Sequence, residues 1–201
     1  MKALKETKRP GSARTAPRPP LALLRQASPS SPVKLAPKPR LALSRVPEHP
    51  DSVIPQVSPP RALLKAARDV AANAYAPYSG FRVGAAVETF DGRTFVGANM
   101  ENASYGLTMC AEVGALQAAS SAGALGKIRR IAVVGGPMKP AAGYKPKATA
   151  PCGRCRQLIS EAAMHGGHEI EVWFADLDRK VVQRRTSSEL LPDAFDATNL
   201  K

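Results

Sequence analysis

The chain of 201 residues holds three cysteines, all within two short segments, Cys110-Ala111-Glu112 and Pro151-Cys152-Gly153-Arg154-Cys155. Three thiolates fill three corners of a tetrahedral zinc site and leave the fourth open to water. Glu112 follows the first cysteine by two positions. It supplies the carboxylate that a hydrolytic zinc centre needs for moving protons. A closed structural site is the other reading of a Cys-x-x-Cys pair, and it requires a fourth ligand. No fourth cysteine exists, and the candidates are His165 and His168. Both fall at the far end of the helix that Cys155 is expected to open, about 15 Å away by helical rise.

These residues need elements to hold them. Cys110 opens an alanine-rich helix predicted to run to about Ala122 and to stop at Gly123. Residues two apart do not share a helix face. Cys110 and Glu112 therefore serve one ion only if it sits at the helix end, where free N–H groups favour thiolate over thiol. Cys152 to Cys155 opens a second helix, through about His165, ended by Gly166-Gly167. Upstream, Ala62, Leu63, Ala66, Val70 and Ala74 recur at helical spacing, predicting a helix from Arg61 to near Tyr75. Runs from Arg82 to Thr89 and from Arg93 to Ala98 flank Phe90-Asp91-Gly92, a hairpin signal. Gly84-Ala85-Ala86 is small for a strand interior and predicts a helix or ligand lying close. Ile131 to Val134 reads as a short buried strand, and Gly135 to Ala150 as a long basic loop. Glu169 to Phe174 and Lys180 to Arg184 read as two more strands, and Ser188 to Leu191 as a short helix or turn. The order predicts an α/β fold, a three-layer α/β/α sandwich around a mixed five-stranded sheet, with the metal at one sheet edge.

Composition divides the chain. The first sixty residues carry thirteen of the nineteen prolines and eleven Lys/Arg against three Asp/Glu, a net +8 of the total +13. The remainder carries +5, so the basic balance does not make the folded part a nucleic-acid binder. Residues 1–58 are predicted to be a disordered Pro/Arg-rich tail or a misplaced start, and 59–201 the catalytic domain. Within the tail, Ala16 to Arg25 recurs as Ala36 to Arg45, a low-complexity linker or a duplicated docking motif. The odd cysteine count and the lack of an apolar run near 20 residues predict a soluble, cytoplasmic protein.

Five segments, in order, resemble the short zinc-dependent cytidine deaminases. They are Tyr78 to Ala86, Asn99 to Tyr105, Cys110-Ala111-Glu112, Pro151 to Gln157, and Leu190 to Phe195. The resemblance runs from about Arg61 to Phe195 and covers none of the tail. It implies that Cys110, Cys152 and Cys155 bind one Zn²⁺ per subunit and that Glu112 shuttles protons. It implies a substrate-binding set of Phe81 on the pyrimidine, Asn99 and Glu101 on the ribose hydroxyls, and Tyr105, Ala111 and Phe195. Phe195 would reach a neighbouring subunit's site in a homotetramer. The implied reaction is hydrolytic deamination of cytidine and deoxycytidine to uridine and deoxyuridine, with release of ammonia, in pyrimidine salvage.

Two positions depart from the family pattern. Val113 stands where its tetrameric members usually carry an arginine that tempers the charge of three thiolates. Arg154 stands where a small residue is common, so Arg154, with Arg156 beside it, is the candidate substitute in the shell around the metal. The alternatives are deamination of a modified cytosine nucleoside, such as a nucleoside antibiotic, or an inactive zinc-stabilised binding module. No nucleic-acid or membrane partner is expected. Lys139 to Lys147 is the one basic stretch that could meet a phosphate.

Overall fold

The computed structural model describes residues 58–200. The expectations for the proline-rich tail, including its duplicated motif, lie outside the described residues. The first helix, α1, spans Arg61–Val70, and a 3₁₀ turn covers Ala71–Asn73. The α-helix thus ends five residues before the expected Tyr75, its last turn tightening as helix ends often do. The hairpin forms as predicted: β1 is Phe81–Thr89 and β2 is Thr94–Ala98. Gly92, at φ 81°, takes the left-handed conformation of its turn.

The second helix, α2, spans Ala111–Ser121, and is followed by β3, Ile128–Pro137. That strand is ten residues long, whereas the apolar run predicts only Ile131 to Val134. Its start is masked by Arg129 and Arg130, and Arg130 is held in place by Glu88 at 3.7 Å and Glu171 at 3.5 Å. Its end is masked by Gly135-Gly136-Pro137, which pair with Val83, Arg82 and Phe81 of β1. The expected loop therefore begins at Met138. Next come α3, Gly153–Gly166, and β4, Glu171–Asp176. Glu169 and Ile170 are not in the ladder, because the Ser187 hydroxyl donates to Glu169 at 2.6 Å and accepts from the Ile170 N–H at 3.2 Å. The last elements are β5, Val182–Thr186, and α4, Ser187–Leu190, the latter opened by a Thr186–Glu189 capping box.

The sheet order is β2-β1-β3-β4-β5, with β3 and β4 parallel and the other pairs antiparallel. Side chains alternate across it. Ala85, Val87, Ile131, Val133, Val172 and Phe174 pack on α2 and α3, while Ala86, Ala132, Val134, Trp173 and Ala175 pack on α1. The architecture is the predicted three-layer sandwich. The small stretch at Gly84 is explained by α1. A Cβ there would collide with the carbonyl oxygen of Ala67 and lie 2.7 Å from the Ala71 nitrogen.

Candidate active site

Cys110 and Cys152 are the residues that cap α2 and α3, both in extended conformation and neither capping through its side chain. The two helices bring their N-terminal ends together, so unpaired N–H groups and both dipoles point at the same space. Cys155, one turn into α3, is fully buried. The Cys110 and Cys152 sulfurs lie 3.8 Å apart, and those of Cys152 and Cys155 lie 3.6 Å apart. All three sulfurs fall within 4.8 Å of one another. Zn–S bonds of about 2.3 Å in a tetrahedron place sulfurs about 3.8 Å apart, so the set fits Zn²⁺ with three protein ligands.

Glu112 is only 4 % exposed. Burial pushes its carboxyl above the usual range, and negative charge on Cys110 pushes the same way. The Cys110 thiol is lowered to about 6 by hydrogen bonding from Cys155, against the cost of burial, with help from Cys152 and the Arg154 guanidinium. The Cys155 thiol is pushed up by its hydrogen bond with Cys110 and by burial. His168 places its ring nitrogens 3.0 and 2.7 Å from the backbone carbonyls of Gly166 and Ile128, and His165 lies against Gly126. Neither joins the sulfur cluster.

The expected substrate residues surround the segment 78–83. Asn99 accepts from the Val83 N–H at 2.8 Å and donates to the Phe81 carbonyl at 3.0 Å. Glu101 accepts from the Ser79 hydroxyl and from the N–H groups of Tyr78 at 2.9 Å and Ser79 at 3.2 Å. The Ser79 hydroxyl, followed by these backbone donors, holds the Glu101 carboxyl below its ordinary range despite opposing desolvation. Both side chains thus fix the strand start that carries Phe81, a role not visible in sequence. Asn99 keeps one amide hydrogen, and Glu101 one acceptor site, for a ligand. Ala111 is fully buried at the start of α2. Tyr105 and Phe195 are 75 and 60 % exposed, so neither is covered by its own chain among the described residues. The Tyr105 ring meets the Tyr78 ring edge-on, 6.0 Å between centroids.

The two arginines part ways. Arg154 donates to the Thr108 carbonyl at 3.3 Å and lies 3.8 Å from the Met109 sulfur, which keeps its charge beside Cys110. Arg156 donates to the carbonyls of Pro151 at 2.9 Å and Leu190 at 3.3 Å, and ties α3 to the C-terminal segment. Gln157, to which the sequence assigns no role, donates to the Phe195 carbonyl at 2.8 Å and so sets where Phe195 projects.

Comparison with known proteins agrees with this geometry. Residues 58–166 match the family model of the cytidine and deoxycytidylate deaminase zinc-binding region. The chain is 43% identical over 134 residues to a cytidine deaminase of Mycobacterium tuberculosis, covering 67% of this chain and 87% of that protein. It is 42% identical over 138 residues to the cytidine deaminase of Halalkalibacterium halodurans, covering 69% and 95%. The crystal structure of cytidine deaminase from Burkholderia pseudomallei matches with a TM-score of 0.58 at 43% identity, covering 69% of this chain and 100% of that one. With three clustered thiols at two helix ends, a buried carboxylate beside them and matches of this extent, the chain belongs to the cytidine and deoxycytidylate deaminase family.

Proposed function

We propose that this protein is a zinc-dependent enzyme that hydrolyses cytidine and deoxycytidine to uridine and deoxyuridine with release of ammonia. The observation that carries the reading is the buried Glu112 beside three sulfurs spaced for one zinc ion. Cys110, Cys152 and Cys155 would hold the ion. When bound, it supplies Lewis acidity, which brings the pKa of a water molecule to about 7 in known catalytic sites. Glu112 would take one proton from the attacking water and pass it to the ring nitrogen, then take the second from the new hydroxyl on the ring carbon and pass it to the leaving amine. A carbon–oxygen bond forms at the amine-bearing carbon, and the carbon–nitrogen bond breaks to release ammonia. Phe81 packs on the pyrimidine, the Ala111 backbone reads its edge, and the free valences of Asn99 and Glu101 meet the ribose hydroxyls. Nothing in the site favours a modified nucleoside or an inactive module. The test is cytidine turnover, followed by ultraviolet loss, on zinc-loaded protein; a zinc-replete protein without turnover would overturn the assignment.

Arg154 offsets the excess negative charge of the three thiolates in place of the family arginine missing at Val113. Its support is the position of its guanidinium beside Cys110. Arg154→Ala is expected to lower zinc affinity or turnover by about 10-fold or more, the usual cost of losing a group in the outer shell. Arg154→Lys should restore part of it. Unchanged zinc content and unchanged kcat in Arg154→Ala would remove Arg154 from this role.

The active sites are shared within a homotetramer that works in the cytoplasm in pyrimidine salvage. The exposure of Tyr105 and Phe195 supports the sharing, since both project away from their own chain. Subunits carrying Glu112→Gln and subunits carrying Phe195→Ala are each expected to be nearly inactive. Mixed and reassembled, they should regain activity, because some sites then combine an intact Glu112 with a neighbour's Phe195. Activity no higher than the sum of the two parents would place Phe195 in its own subunit's site.

Among the described residues no helix is long and apolar enough to cross a membrane.

A further inference from the structure

The sheet face turned away from the metal carries a second cleft. Arg82 follows Phe81 on β1 and points to the opposite face, as alternation requires. It lines a cleft of about 400 Å³ between the last turn of α1, the ends of β3 and β4, and the loop that begins at Met138. The α1 backbone sits on Gly84, two residues along, so the cleft is the space beyond the point where the helix leaves the sheet. The carboxyl ends of parallel strands are where open α/β sheets most often receive ligands.

The charges of this cleft are unevenly matched. Among the described residues Arg82 makes no ion pair, and its buried Nε has no acceptor. The acidic groups in the walls are already engaged. Asp69 pairs with Lys65 at 2.5 Å and with Arg68 at 3.9 Å, and Asp178 pairs with Lys180 at 3.4 Å. Asp176 accepts from the backbone N–H groups of Asp178 at 3.1 Å and Val181 at 2.6 Å. A shielded guanidinium N–H without an acceptor is costly, and an anion with two or more oxygens removes that cost through the planar fork of the arginine. The facing wall is apolar, with Met138 and Tyr144 at 39 and 41 % exposure. Its volume is that of a small-molecule site.

We propose that this cleft binds a small phosphomonoester, its phosphate on Arg82 and its organic part against Met138 and Tyr144. The proposal stands apart from the reading of the metal centre. The test is calorimetric titration of full-length, zinc-loaded protein with adenosine 5′-monophosphate, and separately with inorganic phosphate. Saturable binding of the nucleotide is expected, weakened about tenfold or more in Arg82→Gln and less in Arg82→Lys. Cytidine turnover should be unchanged in both variants, which also shows that they fold. Because Tyr144 also borders the groove in front of Phe81, competition is decisive. Displacement of the nucleotide by cytidine would assign the binding to the nucleoside site and overturn the proposal. So would unchanged affinity in Arg82→Gln, or no binding at millimolar nucleotide. Inorganic phosphate binding as tightly as the nucleotide would overturn the part given to Met138 and Tyr144.

Discussion

Glu112→Gln is expected to slow cytidine turnover by about 10²- to 10⁴-fold, the usual contribution of a positioned general acid–base, while the protein keeps its zinc. Glutamine preserves the shape of the side chain and removes the group that gains and loses a proton. The sulfur cluster does not include Glu112, so ligation should survive the change. Bulk water cannot replace the lost base, because the side chain is 4 % exposed. Stability gives an independent readout. Burial raises the Glu112 carboxyl in the folded state, so its ionisation weakens the fold as pH rises through that range. Metal-free Glu112→Gln, which cannot ionise, should therefore melt no lower than metal-free wild type at neutral pH. A zinc-replete variant with wild-type turnover would remove Glu112 from proton transfer. A variant that fails to take up zinc would instead make the carboxylate part of the site's assembly.

The metal centre was legible in sequence because its chemistry restricts residue type so narrowly. Three thiols and one carboxylate have few substitutes, and the argument that residues two apart meet only at a helix end requires no knowledge of the fold. Cys110 and Cys152 do cap their helices. The hairpin was legible for a similar reason, since Asp91-Gly92 fixes a turn locally. What escaped depends on pairing across the chain. The ends of β3 carry arginines, glycines and a proline, residues with poor strand preference, and the ladders to β1 and β4 make them a strand.

The supporting shell of the site was hidden in the same way. Gln157 and Phe195 are 38 positions apart, and Ser79 and Glu101 are 22 apart. Gln157, Ser79 and Glu101 each read alone as a surface polar group. Asn99 and Glu101 entered the reading through family resemblance, as ribose contacts. Their observed bonds go first to the strand start that carries Phe81, so a substitution there would disturb the platform along with the proposed ribose contact. Loss of kcat together with a raised KM is therefore expected of either, and it would not measure the ribose contact alone.

Gly97→Ala should cost the protein both stability and zinc, whereas Gly84→Ala should cost stability alone. Both glycines lie where a helix backbone rests on the hairpin, and both sit without space for a Cβ. At Gly84 the added carbon meets the Ala67 carbonyl of α1, on the face away from the metal. At Gly97 it meets the Ala111 carbonyl and lies 2.5 Å from the Ala115 nitrogen, in the first turns of α2. Backbone atoms in a helix cannot step aside individually, so each helix must shift as a body. Overpacking of this kind costs about 1–3 kcal/mol and sometimes more, enough to lower Tm by about 2–4 °C per kcal/mol for a domain near 150 residues. The consequences differ because α2 begins at Ala111, directly after Cys110 and directly before Glu112. Lifting α2 moves one sulfur and the Glu112 carboxylate away from Cys152 and Cys155, which ride on α3. Zinc content per folded chain and kcat should fall in Gly97→Ala and hold in Gly84→Ala, even where the two variants melt at similar temperatures. Equal zinc loss in both would mean that the centre responds to global stability, and that the seat of α2 on β2 does not set the position of the metal.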